Sequence, residues 1–209
     1  MAMNLPRVYA ITDCRLTGLS HAEQVRRLAA GGIRLIQLRE KAASPRAFYE
    51  QAREAVAVAR ELGVRLLIND RVDIALAVGA DGVHLGQEDL PPEKARALLG
   101  PDRLIGFSTH SLEQALVADT WPVDYLAIGP IFPTRTKENP DPVVGVEMVR
   151  AVRARIRKPL VAIGGITLET APRVIAAGAD AVAVIADLLS APDITARARQ
   201  YVETLAALP

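Results

Sequence analysis

At 209 residues and 22.4 kDa, the chain is long enough for one full domain and short for two. Half of its residues are hydrophobic, 23% are charged and 4% aromatic, and 25 Lys and Arg against 24 Asp and Glu leave a formal net charge of +1. That balance excludes a disordered chain, shows no basic excess for nucleic acid or an anionic membrane, and leaves the single Cys14 unable to form an intramolecular disulfide or a multi-cysteine metal cluster.

Residues Met1 to Thr12 hold one Arg and no long apolar run before a cleavage site, and the most apolar stretches, Leu160–Ile163 and Ala181–Ala186, are strand-sized. The expectation is a soluble cytoplasmic protein with no membrane partner.

Short β-branched runs recur along the chain at Arg7–Thr12, Leu35–Glu40, Arg65–Asp70, Gly82–Gln87, Leu104–Thr109, Tyr125–Pro130, Pro159–Gly164 and Ala181–Ala186. Helical spacing of apolar residues fills the intervals, as in Ser44–Leu62 and Val146–Ile156. Ser20, Ser44, Ser111 and Thr167 are expected to cap helix starts, and Gly31, Gly63, Gly79, Gly100 and Gly178 to end helices. Strands apolar on both faces and alternating with helices predict a parallel sheet buried on both sides. Eight such units without a Lys- or Pro-blunted edge strand favour closure, so the predicted fold is a single (β/α)8 barrel (a TIM barrel) over residues 1–209. Ile131–Gly145, polar and holding Pro133, Pro140 and Pro142, is the one long connection and is expected to be functional.

Chemistry in such barrels collects at the C-terminal strand ends. The second run ends Gln37-Leu38-Arg39-Glu40-Lys41, and strict alternation would aim Gln37, Arg39 and Lys41 one way, a set suited to phosphate or to pairing with nearby acids. Asn69-Asp70 ends the third run, and Asp89 lies just beyond the fourth. Two carboxylates there can hold Mg2+, or each can cap the helix that follows. His84 is expected inside the barrel as a packing or positioning residue, and His110 to be structural or solvated. Ser108 is expected either to donate to a phosphate or to cap a helix. Thr134, Thr136 and Lys137 suit a loop closing over an anion, or an ordinary polar loop. Gly164-Gly165 at the end of the seventh run leaves backbone N–H groups open, as phosphate-binding barrels do after strands seven and eight. Cys14 and Trp121 are expected to be packing residues. The residues alone therefore predict a barrel enzyme for phosphorylated substrates, with one anion region near strands two to four and another at strands seven and eight.

The same segments resemble the thiamine-phosphate synthase (thiamine-phosphate pyrophosphorylase) family nearly end to end. The matching stretches are Tyr9-Ala10-Ile11-Thr12-Asp13, QLREK at 37–41, INDRVDIALAVGADGVHLGQED at 68–89, GPIFPT-x-TK at 129–137 and AIGGI at 162–166. The resemblance implies a Mg2+-dependent barrel transferase. It would join hydroxymethylpyrimidine diphosphate to a thiazole phosphate, giving thiamine phosphate and pyrophosphate by a dissociative substitution.

Carried onto matching positions, the family's roles give Gln37, Arg39, Lys41, Asn69 and Ser108 to the pyrimidine diphosphate, and Asp70 and Asp89 to Mg2+. Thr134, Thr136 and Lys137 would act from the closing loop, with Arg39, Lys41 and Lys137 as the catalytic cations. Gly165 and the backbone at Ile185 and Ala186 would take the thiazole phosphate. The family more often has serine at position 186, so a backbone contact there survives and a hydroxyl contact does not. The thiazole tautomerases are similar to a lesser degree, with a catalytic His where Pro130 stands here. A non-catalytic thiazole phosphate-binding regulator is the alternative from another class. The apolar helix faces are compatible with a homo-oligomer.

Overall fold

The computed structural model describes residues 5–134, 136 and 141–208. The first half of the chain folds as β1 (Val8–Thr12), α1 (Cys14–Thr17), α2 (His21–Ala30), β2 (Leu35–Leu38), α3 (Pro45–Glu61), β3 (Arg65–Asn69), α4 (Val72–Val78), β4 (Gly82–Leu85) and α5 (Pro92–Leu99). The second half continues as β5 (Leu104–Thr109), α6 (Leu112–Ala118), β6 (Tyr125–Ile128), α7 (Gly145–Arg153), β7 (Leu160–Ile163), α8 (Ala171–Ala176), β8 (Ala181–Val184), α9 (Ala186–Leu189) and α10 (Ile194–Ala206).

Each strand pairs in parallel with the next, and β8 returns to β1 through Val8↔Val182 and Ala10↔Val184, closing the barrel. The expected (β/α)8 architecture is the observed one.

The two-residue period of a strand sorts the side chains into two apolar layers. Tyr9, Ile11, Leu35, Leu67, Tyr125, Ala127, Val161, Ala181 and Ala183 fill the barrel interior. Their neighbours Val8, Ala10, Ile36, Leu66, Ile68, Val83, Leu126, Val182 and Val184 pack outward against the helices. At about 25 cal/mol per Å2 of apolar surface removed from water, burial on both faces is what holds such short strands in place. Trp121, expected to be a packing residue, lies edge-on to Phe107 with ring centroids 5.1 Å apart.

Ser20, Ser44 and Ser111 accept from the backbone N–H three residues on, as expected of caps. Thr167 does not start a helix. It forms a hydrogen-bonded turn with Thr170, and α8 begins only at Ala171. Several strands stop one or two residues short of the sequence estimate, because their last residues leave the ladder at the rim.

The N-terminal face repeats one device. Asp81, Asp124 and Asp180 immediately precede β4, β6 and β8, and each accepts at 2.7 Å from a backbone N–H near the start of the preceding strand (Leu66, Ile105 and Leu160). The backbone N–H of each aspartate donates back to the carbonyl of the same residue. Arg60, Arg96 and Arg153, on α3, α5 and α7, then reach Gly79 O, Asp124 and Asp180. Among the described residues, no helix is long and apolar enough to cross a membrane.

Candidate active site

The C-terminal rim begins with β2. Its ladder ends at Leu38, so the alternation that would aim Gln37, Arg39 and Lys41 one way does not reach the last two. Gln37 points into the barrel. Arg39 turns toward the β1 side, where Nη1 donates to Asp13 Oδ2 at 3.0 Å, and Lys41 turns toward the β3 side and pairs with Asp70. Asp13, 3% exposed, also caps α1 by accepting from Arg15 N. A fixed carboxylate thus holds the Arg39 guanidinium at the rim.

Asp70 sits at the end of β3 with φ +63°, the one non-glycine residue with positive φ among those described. Left-handed backbone is disfavoured by roughly 1–2 kcal/mol for most L-residues and best tolerated by Asp, Asn and Gly. Here it is held by the Asp70 N–H donating to His84 O at 2.8 Å and by the Lys41 ion pair. Asp89 Oδ2 accepts from Gly86 N at 2.7 Å.

Neither aspartate caps a helix. The N-cap positions of α4 and α5 are Arg71 and Pro91, without side-chain caps, so the capping alternative fails for both. Burial pushes the Asp89 carboxyl above its ordinary range, the Asp70 charge adds to this, and the Gly86 N–H and Lys41 offset part of it. Two carboxylates that repel one another beside a lysine present hard oxygen donors of the kind Mg2+ takes.

Burial of the Asp89 charge, with the neighbouring Asp70, has a cost in stability. A carboxyl whose pKa is raised on folding binds its proton more tightly folded than unfolded, so its penalty is present at neutral pH and fades as pH falls through the ordinary Asp range. Asp89→Asn retains the acceptor for Gly86 N and is expected to raise the Tm of the metal-free chain. At neutral pH the rise is of order 2–4 °C per kcal/mol relieved. Calorimetry at pH 7 and at pH 3 should show the gap closing in acid, and a gap of constant size would rule out the charge explanation.

Beside the acids, the Asn69 side chain is buried with Nδ2 lacking any hydrogen-bond partner. A buried donor left unpaired costs about 1–3 kcal/mol, so its place at a strand end marks it as awaiting an acceptor.

Across the barrel runs a chain of buried polar groups. Gln37 Nε2 donates to Tyr9 OH at 2.8 Å, Tyr9 OH meets Tyr125 OH at 2.9 Å, Tyr125 OH meets His84 Nδ1 at 2.9 Å, and His84 Nε2 meets Ser108 Oγ at 2.8 Å. Only one direction of donation satisfies it. The Tyr9 oxygen already accepts from Gln37, so its proton goes to Tyr125, whose proton goes to His84 Nδ1. The imidazole therefore carries its proton on Nε2 and donates to Ser108, leaving the serine O–H free for a ligand. Burial lowers the His84 pKa to about 4, which keeps the ring neutral as this scheme requires. A Cβ on Gly106 would stand 2.3 Å from Tyr125 OH and 2.6 Å from His84 Nδ1, so that glycine is the space the chain occupies.

On the far side of the rim, the segment after β6 lies directly over the end of β7. Ile131 N donates to Ile163 O at 2.9 Å and Phe132 N to Gly164 O at 3.0 Å. The two glycines admit this approach, since a Cβ on Gly164 would come within 2.6 Å of Pro130 and one on Gly165 within 2.4 Å of Pro133 O. Thr136 N and Thr134 Oγ1 lie 3.4 Å apart in the same connection, and Lys137 lies outside the described residues. Ile185 and Ala186 stand at the end of β8, where Ala186 is exposed and opens α9. His110 is structural: it bonds Gly129 O at 2.7 Å through Nδ1 and faces Asp141 through Nε2.

Gln37, Arg39, Lys41, Asn69, Asp70, Asp89 and Ser108 thus share the β2–β5 sector of the rim, while Thr134, Thr136, Gly165, Ile185 and Ala186 share the β6–β8 sector. Sequence reasoning missed Asp13 as the anchor of Arg39, and Tyr9 and Tyr125 as links between Gln37 and His84. Asp13 and Tyr9 lie inside the Tyr9–Asp13 stretch already singled out, but their partners are 26 and 116 residues away. A further cluster, Cys14, His21 and Glu40, offers three potential ligand atoms within 4.8 Å of one another.

A closed (β/α)8 barrel with cations, carboxylates and hydroxyls gathered on its C-terminal rim defines a barrel enzyme. The family model described as thiamine monophosphate synthase matches residues 8–188. The thiamine-phosphate synthase of Koribacter versatilis is 51% identical over 210 residues, covering 97% of each chain. That of Syntrophomonas wolfei is 48% identical over 194 residues, covering 92% of this chain and 93% of its own. The solved thiamine phosphate pyrophosphorylase from Pyrococcus furiosus superposes with a TM-score of 0.88 at 38% identity, covering 97% of this chain and 96% of that one. The chain belongs to the thiamine monophosphate synthase family and is, by that membership, a transferase.

Proposed function

We propose that this chain condenses 4-amino-2-methyl-5-hydroxymethylpyrimidine diphosphate with hydroxyethylthiazole phosphate, giving thiamine phosphate and pyrophosphate. The observation that carries this reading is the Lys41–Asp70–Asp89 cluster beside the unpaired Asn69 amide. It combines a cation, hard oxygen donors and a buried donor at one point on the rim, as a diphosphate with its metal requires. Family membership supplies the reaction type.

In this reading the diphosphate leaves the pyrimidine CH2 with the bonding electron pair, and the electron-rich aminopyrimidine spreads the resulting positive charge. The thiazole nitrogen then forms the new C–N bond. No protein nucleophile takes part. Asp70 and Asp89 would hold Mg2+, which when bound neutralises charge on the diphosphate.

Arg39, oriented by Asp13, and Lys41 stabilise the departing oxygens, joined by Lys137 from the β6–α7 connection. Asn69 Nδ2 and the free Ser108 O–H donate to the pyrimidine diphosphate, with Gln37 at the same end of the barrel. Gly165 and the backbone at Ile185 and Ala186 seat the thiazole phosphate, and Thr134 and Thr136 close over the anions. Holding both substrates in one orientation supplies the proximity a bimolecular coupling needs. The whole chain acts as one barrel domain, and its lone cysteine fits work in the cytoplasm.

Purified protein supplied with both substrates is expected to form thiamine phosphate with Mg2+ and to stop on chelation. Failure to form product with authentic substrates and metal would refute the reading.

A further inference from the structure

We propose that Cys14, His21 and Glu40 form a second metal site, separate from Asp70 and Asp89, that takes a borderline-soft divalent cation such as Zn2+. The three residues come from the first position of α1, the first position of α2 and the segment after β2, and their ligand atoms lie within 4.8 Å of one another. The His21 side chain is completely buried.

Its Nδ1 lies 2.7 Å from Thr12 Oγ1, whose own hydroxyl donates to Gln37 O. A metal on Nε2 selects the tautomer in which Nδ1–H donates to Thr12 Oγ1 and the lone pair is left on Nε2. Nε2 has no hydrogen-bond partner and faces Glu40 Oε2 at 3.5 Å. A cation between them would take one donor atom from the buried imidazole and one from the partly exposed Glu40 carboxylate.

The surroundings are those of a prepared ligand set. Glu40 Oε1 is held by Ala42 N and Ala43 N, which leaves Oε2 for the site, and Cys14 Sγ accepts from Gln24 Nε2 at 3.6 Å. Thr12 fixes the imidazole tautomer in the way outer partners of metal-bound histidines do. A tetrahedral zinc with bonds of 2.0–2.3 Å requires ligand atoms about 3.3–3.8 Å apart. The His21–Glu40 pair is already at that spacing, and the partly exposed Cys14 supplies a third ligand atom within 4.8 Å of both. One sulfur, one nitrogen and one oxygen suit zinc or cobalt and are a poor set for Mg2+. On binding, the thiol proton leaves to solvent and the sulfur ligates as thiolate. Because Glu40 lies between Arg39 and Lys41, a bound cation would pin the segment that presents both side chains to the rim.

The test is a cobalt titration of the full chain, thiol kept reduced, with Mg2+ in excess to fill hard-oxygen sites. The expected result is a thiolate-to-cobalt charge-transfer band and tetrahedral ligand-field bands that saturate at one equivalent and are abolished by zinc. Asp70→Asn should leave the spectrum unchanged, Cys14→Ser should remove the charge-transfer band, and Thr12→Val should weaken affinity at least ~10-fold. Absence of the band in the parent, its persistence in Cys14→Ser, or its loss in Asp70→Asn would each overturn the proposal. The readout is metal ligation rather than product, so it stands or falls independently of the proposed coupling reaction.

Discussion

Replacing Asp70 by Asn is expected to lower turnover at least ~10²-fold, on the several kcal/mol that metal stabilisation of charge supplies and the 1.36 kcal/mol that each factor of ten represents. The choice of Asn matters. Asp70 sits at φ +63°, a conformation Asn tolerates, whereas Ala would add backbone strain of roughly 1–2 kcal/mol and confuse a folding defect with a chemical one. The amide keeps the size of the carboxylate while removing its charge and the ion pair with Lys41. Steady-state rates over a range of Mg2+ concentrations are the measurement. A variant that keeps near-parental turnover and the parental Mg2+ dependence would remove Asp70 from the metal site.

Removing the Tyr125 hydroxyl is the second change with a large expected effect. In Tyr125→Phe, Tyr9 O–H loses its acceptor and His84 Nδ1 loses its donor, both inside the barrel. Each buried group left unpaired costs about 1–3 kcal/mol, so a loss of about 2–6 kcal/mol is expected. Thermal unfolding should shift down by roughly 2–4 °C for each of those kcal/mol. Turnover should fall as well, by about tenfold or the value of one hydrogen bond, because nothing then fixes the His84 proton on Nε2 and Ser108 is free to donate inward. Nitrogen NMR of His84 separates the two consequences. The parent should show a neutral ring protonated at Nε2, and the variant a mixture of tautomers. A parental tautomer in the variant would mean that the chain of hydroxyls does not set the ring.

The difference between what the sequence discloses and what it withholds follows the range of the interactions. Strands are legible because both faces are apolar, a signal contained within four to six residues such as Leu104–Thr109. Caps are legible because Ser20, Ser44 and Ser111 bond only three residues ahead. The site residues Asp70 and Asp89 are visible as types, yet whether they cap helices or face a ligand depends on backbone directions at the rim that no local pattern encodes.

Arg39 shows the same limit. Alternation predicts its direction only while the ladder lasts, and β2 ends at Leu38. Its anchor, Asp13, becomes a neighbour only through the register that sets Thr12 beside Leu38. The Tyr9–Tyr125 contact spans the closed barrel, and the Cys14–His21–Glu40 cluster needs two helix starts and a strand end brought together. Each depends on closure, which short-range patterns predict as a whole but do not resolve atom by atom.

The aspartate clasps on the N-terminal face have a further meaning. Each joins an odd-numbered strand to the even-numbered one after it, and Asp124 and Asp180 are also held by an arginine from the helix that precedes the odd strand. Three of the four successive strand pairs, β3–β4, β5–β6 and β7–β8, are therefore fastened from below, at the end opposite the chemistry. This division of labour lets the rim hold features that work against folding: a left-handed aspartate, two carboxylates raised against one another and an amide without a partner. The closed end keeps the molecule together, and the open end is left free to be reactive.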